Sequence, residues 1–312
     1  MRFACLGSGS EGNALVVEAG TTRVLLDCGF GLRDTVSRLA RLGLAPDDLD
    51  AILVTHEHSD HVGGVARLAA KFRLPVWVSH GTYTFLANLD QVPEDCHLFD
   101  SHSAFAVGAL SIQPFPVPHD AREPAQFVFG DGAVRLGVLT DTGCTTPHIQ
   151  SMLSGCHGLV LECNHDASML ANGPYPPSLK RRVAGNYGHL DNAAAAELLR
   201  ALDTRPLQHI IAAHLSRKNN TSQLARQANV QLESGQNAVK PQKGSTLAKL
   251  TTTYTLTGDY RNVRRFIYSL ETAPEFIVLE NVALTSPGEQ QTRGLSVKLD
   301  IATYFRSRNV AG

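Results

Sequence analysis

Cysteine is scarce in this sequence of 312 residues, and none of its six cysteines form a CxxC pair. Such sparse, irregular spacing excludes a disulfide framework and a cysteine-based zinc knuckle. No run approaches the ~18 consecutive apolar residues that a membrane-spanning helix needs. Gly7 interrupts the first residues too early for the apolar core of a signal peptide. We therefore predict a protein of the reducing cytoplasm, without a membrane partner.

An excess of one charge is also missing. Charged residues make up 18% of the chain, and its formal net charge is −1. This balance excludes a global electrostatic attraction to nucleic acid or to anionic lipid. Any binding of phosphate must therefore come from a local site. Hydrophobic residues supply 43% of the chain, which is ordinary for a globular protein with a buried core.

Histidine is confined to the middle of the chain. All 13 histidines lie between His56 and His214, and the last cysteine is Cys163. Residues 233–245 are polar and rich in glycine, proline and asparagine, which is typical of a linker. The sequence therefore predicts one domain over residues 1–232, a linker over 233–245 and a second module over 246–312.

The first part alternates short apolar runs with segments of helical periodicity. The predicted strands are Phe3–Leu6, Ala14–Glu18, Arg23–Asp27, Ala51–Val54, Val76–Ser79, Leu110–Phe115, Val134–Leu139, Leu159–Glu162 and Ile210–Ala213. The predicted helices are Leu32–Leu42, Val62–Lys71 and Asn192–Leu202. Alternating strands and helices predict a layered α/β fold.

The last part predicts a different order of elements. A strand over Leu250–Leu256 is followed by a helix over Tyr260–Leu270, and strands over Phe276–Leu284 and Leu295–Tyr304 come last. The β-α-β-β order is that of a small α+β module of ferredoxin-like type.

Four potential metal ligands, His56, His58, Asp60 and His61, fall within six residues directly after a predicted buried strand. A strand end can deliver imidazoles and a carboxylate from a rigid element into an open crevice, where they can surround two metal ions. This density of ligands favours a metal site over a chance cluster of surface histidines.

Further short motifs accompany this run in a fixed order. The series is Gly7–Asn13, Thr55–His61, His119–Ala121, Thr140–Gly143, Glu162–Asp166, Gly188–Asn192 and His214–Asn220. It is similar to the WalJ (YycJ) branch of the metallo-β-lactamase superfamily and covers about residues 1–225. Cys163 departs from that branch, in which we expect serine. The resemblance implies an αββα sandwich of the metallo-β-lactamase type ahead of the ferredoxin-like module.

The resemblance also implies a centre with two divalent metal ions. The implied ligands are His56, His58 and His119 for the first ion, Asp60, His61 and His214 for the second, and Asp141 for both. Three of these residues, His119, Asp141 and His214, each follow a predicted strand, where the crevice of an α/β fold collects its ligands. Zinc and manganese both suit a set of histidine and aspartate ligands.

The activity that the resemblance implies is hydrolysis of nucleic-acid phosphodiesters by an exonuclease, on DNA in preference to RNA. A hydroxide held between the two ions would attack phosphorus while the ions neutralise the developing charge. The oxygen-reducing di-iron branch has glutamate where His58 stands, so hydrolysis is favoured over redox chemistry.

His189 and His214 compete for the place of the last ligand. His214 ends the apolar strand Ile210–Ala213, whereas His189 lies in a glycine-led loop. We therefore assign His214 to the second metal and His189 to the leaving oxygen as a general acid. Asp60 is expected to be essential for catalysis because it is a ligand.

Other residues are candidates for contacts with the substrate. Ser8, Ser10 and Asn13, in the glycine-rich first loop, either donate hydrogen bonds to a phosphate or are turn residues. The resemblance places His165 and Asn192 near the site, as substrate contacts or as partners that orient ligands.

Two further features have open roles. Asp27, at the end of an early strand, is a second candidate for orienting a ligand. The basic clusters at residues 180–182 and 217–218 either bind flanking phosphates or are solvated surface.

The C-terminal module has a resemblance of its own. Segments at 256–260, 264–271 and 299–305 are similar to the C-terminal domain of PilO-type pilus assembly proteins, over residues 246–306. PilO-type proteins also carry a membrane helix and a coiled coil, which this sequence lacks. The two resemblances meet near residues 226–245, which favours a fusion, natural or constructed, and leaves the completeness of the hydrolase core open. The module would bind a protein partner.

Two alternative functions stay open at this point. The same centre can hydrolyse a small ester, a thioester or a cyclic phosphodiester, because a fold does not fix its substrate. The chain can also be an interaction protein of the pilus-assembly type with a vestigial metal site. The intact ligand set argues against this last alternative.

Overall fold

The computed structural model describes residues 1–228, 233–241, 247–258, 278–285 and 295–306, with side chains up to residue 225. The chain divides into two compact units, unit 1 over residues 1–225 and unit 2 over residues 226–312. None of the helices in the described ranges has both the length and the apolar character needed to cross a membrane.

The first half of unit 1 forms a six-stranded sheet. Its strands are β1 (Arg2–Gly7), β2 (Ala14–Ala19), β3 (Thr22–Leu26), β4 (Ala51–Leu53), β5 (Val76–Val78) and β6 (Cys96–Leu98). Their order in the sheet is their order in the chain. Neighbours from β1 to β3 are antiparallel, and those from β3 to β6 are parallel. The sequence did not predict β6, whose three residues include two exposed ones.

Four helices connect these strands. They are α1 (Leu32–Ala40), α2 (Ser59–Val62), α3 (Val65–Phe72) and α4 (His80–Asn88). The single helix predicted over Val62–Lys71 begins earlier and is interrupted at Gly63 and Gly64. A Cβ atom on Gly64 would lie 2.0 Å from the carbonyl oxygen of Phe30, so only glycine allows this close approach.

The second half of unit 1 repeats the arrangement. Its strands are β7 (Phe105–Val107), β8 (Leu110–Pro116), β9 (Ala125–Gly130), β10 (Arg135–Leu139), β11 (Gly158–Glu162) and β12 (His209–Ala213). Here β7 to β10 are antiparallel neighbours, and β10, β11 and β12 are parallel. The helices are α5 (Pro147–Leu153), α6 (Ala167–Asn172), α7 (Pro177–Val183), α8 (Asn192–Ala201) and α9 (Ser222–Ala228).

Alternation of side chains along the strands builds four layers. On β4, Leu53 packs between the two sheets with Phe127 of β9, whereas Ile52 packs against the helices of the first half. On β11, Val160 faces the other sheet, and Leu161 packs with the helices of the second half. Because successive residues of a strand point to opposite faces, the inner strands of each sheet are buried on both faces. The predicted αββα sandwich is confirmed.

Unit 2 contains a four-stranded antiparallel sheet in the order β13-β14-β16-β15. Its strands are β13 (Glu233–Pro241), β14 (Leu247–Gly258), β15 (Val278–Thr285) and β16 (Leu295–Arg306). The last three correspond to predicted strands. The predicted helix Tyr260–Leu270 lies outside the described residues, so the ferredoxin-like order stays a prediction.

Strand β13 occupies most of the segment for which the composition predicts a linker. Its breaking residues fall where a strand tolerates them: Gly235 lies in the register shift between Glu233 and Gln236, and Pro241 is the last residue of the strand. The breaker-rich composition of this segment is thus compatible with a strand. The domain boundaries at 232 and 246 remain predictions.

A chain that ends after Ala228 tests this division. The three hydrophobic clusters of unit 1 consist of residues before 226, so we expect the shortened protein to keep its cooperative unfolding and its bound metal. Its Tm should stay within about 4 °C of the full chain, which corresponds to about 1 kcal/mol for a domain of this size. Thermal unfolding and elemental analysis measure both quantities.

A second chain, ending after Gly244, is the control. It keeps β13 without its partner β14 and should therefore associate through an unpaired edge strand. An insoluble or metal-free product from the chain that ends after Ala228 would mean that unit 2 completes the hydrolase core.

Candidate metal centre

The polar residues of unit 1 gather where parallel strands of both sheets end. Asp27 follows β3, and His56 comes three residues after β4. From the second sheet, Asp141 lies two residues beyond β10, and His214 directly follows β12. Parallel neighbours bring their carboxyl ends to one edge of a sheet, so a layered α/β fold collects side chains there.

Backbone strain marks three of these strand ends. Asp27, Asp141 and His214 have φ angles of 59°, 50° and 55°. Residues other than glycine adopt this left-handed region uncommonly, and such strain concentrates at functional sites.

The first group of converging side chains is His56, His58 and His119. The Nδ1 atom of His58 lies 3.0 Å from Nε2 of His56 and 3.3 Å from Nε2 of His119. Three ring nitrogens that face one another need a shared proton or a cation, because their lone pairs repel. Imidazole nitrogens in this arrangement are the ligand type of zinc and related ions.

The second group is Asp60, His61 and His214. Oδ2 of Asp60 lies 3.6 Å from Nε2 of His61 and 3.7 Å from Nε2 of His214. Asp141 adjoins both groups, since its carboxylate lies 3.0 Å from Nε2 of His61 and its ligand atoms also cluster with His56. All seven residues predicted as metal ligands therefore meet in one place.

Two buried atoms support the fit to metal ions. Nε2 of His214 is buried without a hydrogen-bond partner in the described part of the chain, and Oδ2 of Asp141 is buried with an ion-pair contact to Nε2 of His61 but without a hydrogen bond. Buried polar atoms are nearly always paired, and an ion is one of the few explanations for an exception. Burial lowers the pKa of His56 well below its usual range, so this ring is neutral and can donate a lone pair.

The other ring nitrogen of most of these histidines is fixed by a neighbouring oxygen. The pairs are His56 Nδ1 with Thr55 Oγ1 at 3.0 Å, His61 Nδ1 with Asp27 Oδ2 at 2.8 Å, His119 Nδ1 with the Gly188 carbonyl at 3.0 Å, and His214 Nδ1 with Glu162 Oε1 at 3.1 Å. Such partners hold the tautomer in which Nε2 is free for a metal. The orienting role considered for Asp27 agrees with its contact to His61.

Glu162 is the residue that the sequence analysis left without a role. It ends β11, is fully buried, and its Oε1 accepts from Nδ1 of both His189 (2.9 Å) and His214 (3.1 Å). Burial raises the pKa of this carboxyl, but the charge of His189 and the hydrogen bonds to His189 and His214 together outweigh burial and lower the pKa to about 2. The sequence feature that could have identified Glu162 as a site residue is its position as a carboxylate at the end of an otherwise apolar strand.

His189 lies in the loop before α8 and lines the crevice with 22% of its side chain exposed. Burial would lower its pKa, but the charge of Glu162 and the hydrogen bond to it raise the pKa of His189 overall. The backbone of this loop packs directly against Gly143. A Cβ atom on Gly143 would lie 2.3 Å from the backbone of Asn186, so a larger residue would not fit there. His189 is therefore a positioned and partly accessible imidazole.

The three candidates of the first loop all lie near this centre. Ser10 lines the crevice. The hydroxyl of Ser8 accepts a 2.6 Å hydrogen bond from the backbone of His214. The amide nitrogen of Asn13 lies 3.0 Å from Nε2 of His61 and 3.3 Å from Oδ2 of Asp60. Ser10 is thus placed to meet a substrate, and the other two contact the proposed ligands.

His165 and Asn192 lie elsewhere. Their side chains are only 2% and 4% exposed, and neither lines the crevice. Asn192 exchanges two amide hydrogen bonds with Asn220, which also donates to the carbonyl of Cys163. Asn220, in the segment after His214, therefore links the first residue of α8 to the loop after Glu162. Contact of His165 or Asn192 with a substrate stays a prediction, which their burial does not favour.

The crevice has a volume of about 350 Å³ and is bordered by the metal-centre residues on one side and by α7 on the other. At its rim, Nε of Arg182 donates a 2.5 Å hydrogen bond to Asp120, whose other oxygen lies 3.5 Å from Nε2 of His119. An αββα sandwich with histidines and aspartates at its strand ends belongs to the class of metal-dependent hydrolase folds.

Comparisons with known proteins identify the family. The family model of the beta-lactamase superfamily domain matches residues 22–214. Over 228 residues the chain is 36% identical to the exodeoxyribonuclease YycJ of Bacillus anthracis, which covers 72% of this chain and 86% of that protein. It is 35% identical over 229 residues to the exodeoxyribonuclease WalJ of Streptococcus pneumoniae serotype 2, with coverage of 72% and 85%. The chain therefore belongs to the beta-lactamase superfamily, whose metallo-β-lactamase fold implies binding of divalent metal.

A solved structure and a second family model add to this result. The metallo-β-lactamase-fold protein YhfI from Bacillus subtilis superposes with a TM-score of 0.58 at 16% identity, covering 73% of this chain and 90% of that protein. The family model of type II secretion system protein M, subtype b, matches residues 205–305. This match includes the region that resembles PilO-type proteins in sequence.

Replacing Glu162 by glutamine tests its contacts to two histidines. The amide cannot hold both Nδ1–H groups as a buried carboxylate does, so we expect metal affinity to fall by about 10- to 100-fold, the usual effect of losing a ligand's orienting partner. A competition titration with a metal-binding dye measures this affinity.

Glu57→Gln is the matched control. Glu57 is also buried and adjoins the ligands, but its Oε1 accepts from the backbone of Arg122, a hydrogen bond that glutamine retains. Equal losses of affinity in both variants would contradict a specific role of Glu162.

Proposed function

We propose that this protein is a phosphodiesterase with two divalent metal ions, zinc or manganese, that removes nucleotides from an end of DNA. The observation that carries the proposal is the convergence of His56, His58 and His119 with Asp60, His61 and His214 around Asp141. The identity to exodeoxyribonucleases over 86% of the Bacillus anthracis protein supports DNA as the substrate. The cytoplasmic location and a protein partner for the C-terminal module stay predictions.

The ligand sets fit two neighbouring ions. The three histidines would hold one ion, and Asp60, His61 and His214 would hold the other, with Asp141 between them. Two ions bound there supply a nucleophile at neutral pH and neutralise the charge of the phosphoryl oxygens. Histidine and aspartate ligands suit both zinc and manganese.

His189 is suited to protonate the leaving oxygen. Nδ1 of His189 lies 2.9 Å from Glu162, and although burial lowers the pKa of the ring, Glu162 raises it overall and so favours the protonated form that a general acid needs. The ligand atoms of His189 also lie close enough to those of Asp141, Glu162 and His214 to coordinate one metal ion together. Two differences favour His189 as the general acid and His214 as the metal ligand. The side chain of His189 is more exposed than that of His214 (22% against 3%), and of the two only His214 has a buried Nε2 without a hydrogen-bond partner.

Replacing Asp60 by asparagine tests the dinuclear centre. Asp60 lies between Nε2 of His61 and Nε2 of His214, so we expect the variant to retain one ion per chain where the wild type binds two. Hydrolysis should fall by at least about 10²-fold, because a catalytic ion contributes several kcal/mol. Elemental analysis of reconstituted protein and circular dichroism measure metal content and folding. A wild-type protein that binds at most one ion would reject the dinuclear centre.

Comparing His189→Ala with His214→Ala tests the two assignments. We expect His189→Ala to keep both ions and to lose about 10²- to 10⁴-fold in rate, the usual contribution of a general acid. The loss should shrink with a nitrophenyl phosphodiester, whose leaving group needs no proton. His214→Ala should lose metal and be impaired equally on both substrates. Loss of metal from His189→Ala instead would exchange the two roles.

A further inference from the structure

Helix α7 has an unusual surface for a segment beside a catalytic centre. None of its seven residues is buried. Leu179 and Val183, four residues apart and thus on one helix face, line the crevice together with Arg182. An apolar stripe at this spacing normally packs against a protein core. Here the stripe faces the cavity that also holds the metal-centre residues, so a substrate is what would cover it.

Tyr175 extends this apolar wall. It is half-buried, lines the same crevice and precedes Pro176 and Pro177, which start α7. Nζ of Lys218 lies 5.6 Å from the centre of its ring. Within residues 1–225, whose side chains the structure describes, no hydrogen bond involves its hydroxyl. A tyrosine in a packed position usually pairs this group, so the ring rather than the hydroxyl accounts for its presence here.

The charged residues of α7 itself are all basic. Helix α7 carries Lys180, Arg181 and Arg182 and no acidic residue, and Lys218 adds a fourth cation beside Tyr175. Asp120 fixes Arg182 at the rim through its Nε, which leaves the terminal nitrogens of the guanidinium for another anion. Since the whole chain has a net charge of −1, this cluster is a local feature. An apolar wall among cations matches a nucleobase flanked by phosphates.

We propose that Tyr175, Leu179, Arg182 and Lys218 form a subsite for the terminal nucleotide, in which the base stacks on Tyr175 and the cations bind the adjoining phosphates. The proposal rests on the proposed nuclease function. A cavity of about 350 Å³ lies near the lower end of the range for small-ligand sites, a size that suits a single nucleotide. Stacking of this kind tolerates any base.

A double-mutant cycle tests the subsite, with one change in the protein and one in the substrate. Wild type and Tyr175→Leu are each compared on a single-stranded oligonucleotide and on the same strand with abasic residues at both ends. We expect the wild-type kcat/KM to be about 5- to 150-fold lower on the abasic strand, the range of base–aromatic stacking. Tyr175→Leu should lose a similar factor on the normal strand, and its ratio of normal to abasic rates should fall towards one.

Two variants serve as controls. Tyr175→Phe keeps the ring and should keep the wild-type ratio. Tyr187→Leu removes a tyrosine that is 65% exposed, lies outside the crevice lining and should also leave the ratio unaltered. If wild type cleaves both strands equally, or if the losses from Tyr175→Leu and from the abasic ends multiply, the subsite is rejected. Absence of cleavage of either strand by metal-loaded wild type would instead reject the proposed nuclease function.

Discussion

The carboxylate of Asp141 is the group on which the rest of the centre depends. It is only 2% exposed, lies 3.0 Å from His61 of the first half and 3.1 Å from His214 of the second, and so joins the two halves of the sandwich. Burial raises its pKa, but His214 and His61 outweigh this effect and keep the carboxyl ionised. An ionised carboxylate at this depth costs several kcal/mol unless opposite charge surrounds it. The cationic surroundings of Asp141 are therefore a requirement of the fold as well as of the chemistry.

The same requirement links metal binding to protons. Burial lowers the pKa of His61 and of His214, but Asp141 and the other carboxylates raise the pKa of His61 well above its usual range and that of His214 to about 10. Protonated rings can thus balance Asp141 and Glu162 when no cation does. A metal ion must displace these protons, since only a neutral imidazole offers its lone pair. The centre therefore exchanges protons for metal and keeps its carboxylates balanced in both forms.

Apolar runs in the sequence predicted an α/β fold, and the family resemblance carried by the ordered short motifs implied the αββα layers and the seven ligands that the structure brings together. Glu162 was missed as an orienting residue, since its two histidine partners lie 27 and 52 residues away. Strand β9 was not predicted, because it contains a polar residue, Gln126, that is nevertheless fully buried. The side chain of Gln126 donates a hydrogen bond to the carbonyl of Thr140, a distant partner that no local pattern indicates. The roles of His165 and Asn192 stay predictions: both are buried and outside the crevice lining, and a position within a motif does not say which side chains face the crevice.

The centre combines two kinds of structure that serve opposite needs. Several of its ligands stand at or near the ends of buried strands such as β4 and β10, and left-handed backbone at Asp141 and His214 sets the direction of these two side chains. Ligands that must hold a geometry within fractions of an ångström need such rigid support. The opposite wall comes from α7, which has no buried residue. This wall is joined to the loop of His189 by a backbone hydrogen bond from His189 to the carbonyl of Val183, and its side chains stay accessible to a substrate. In the proposed exonuclease, this division would keep the reacting phosphate fixed at the ligands while the nucleotide contacts the wall formed by α7.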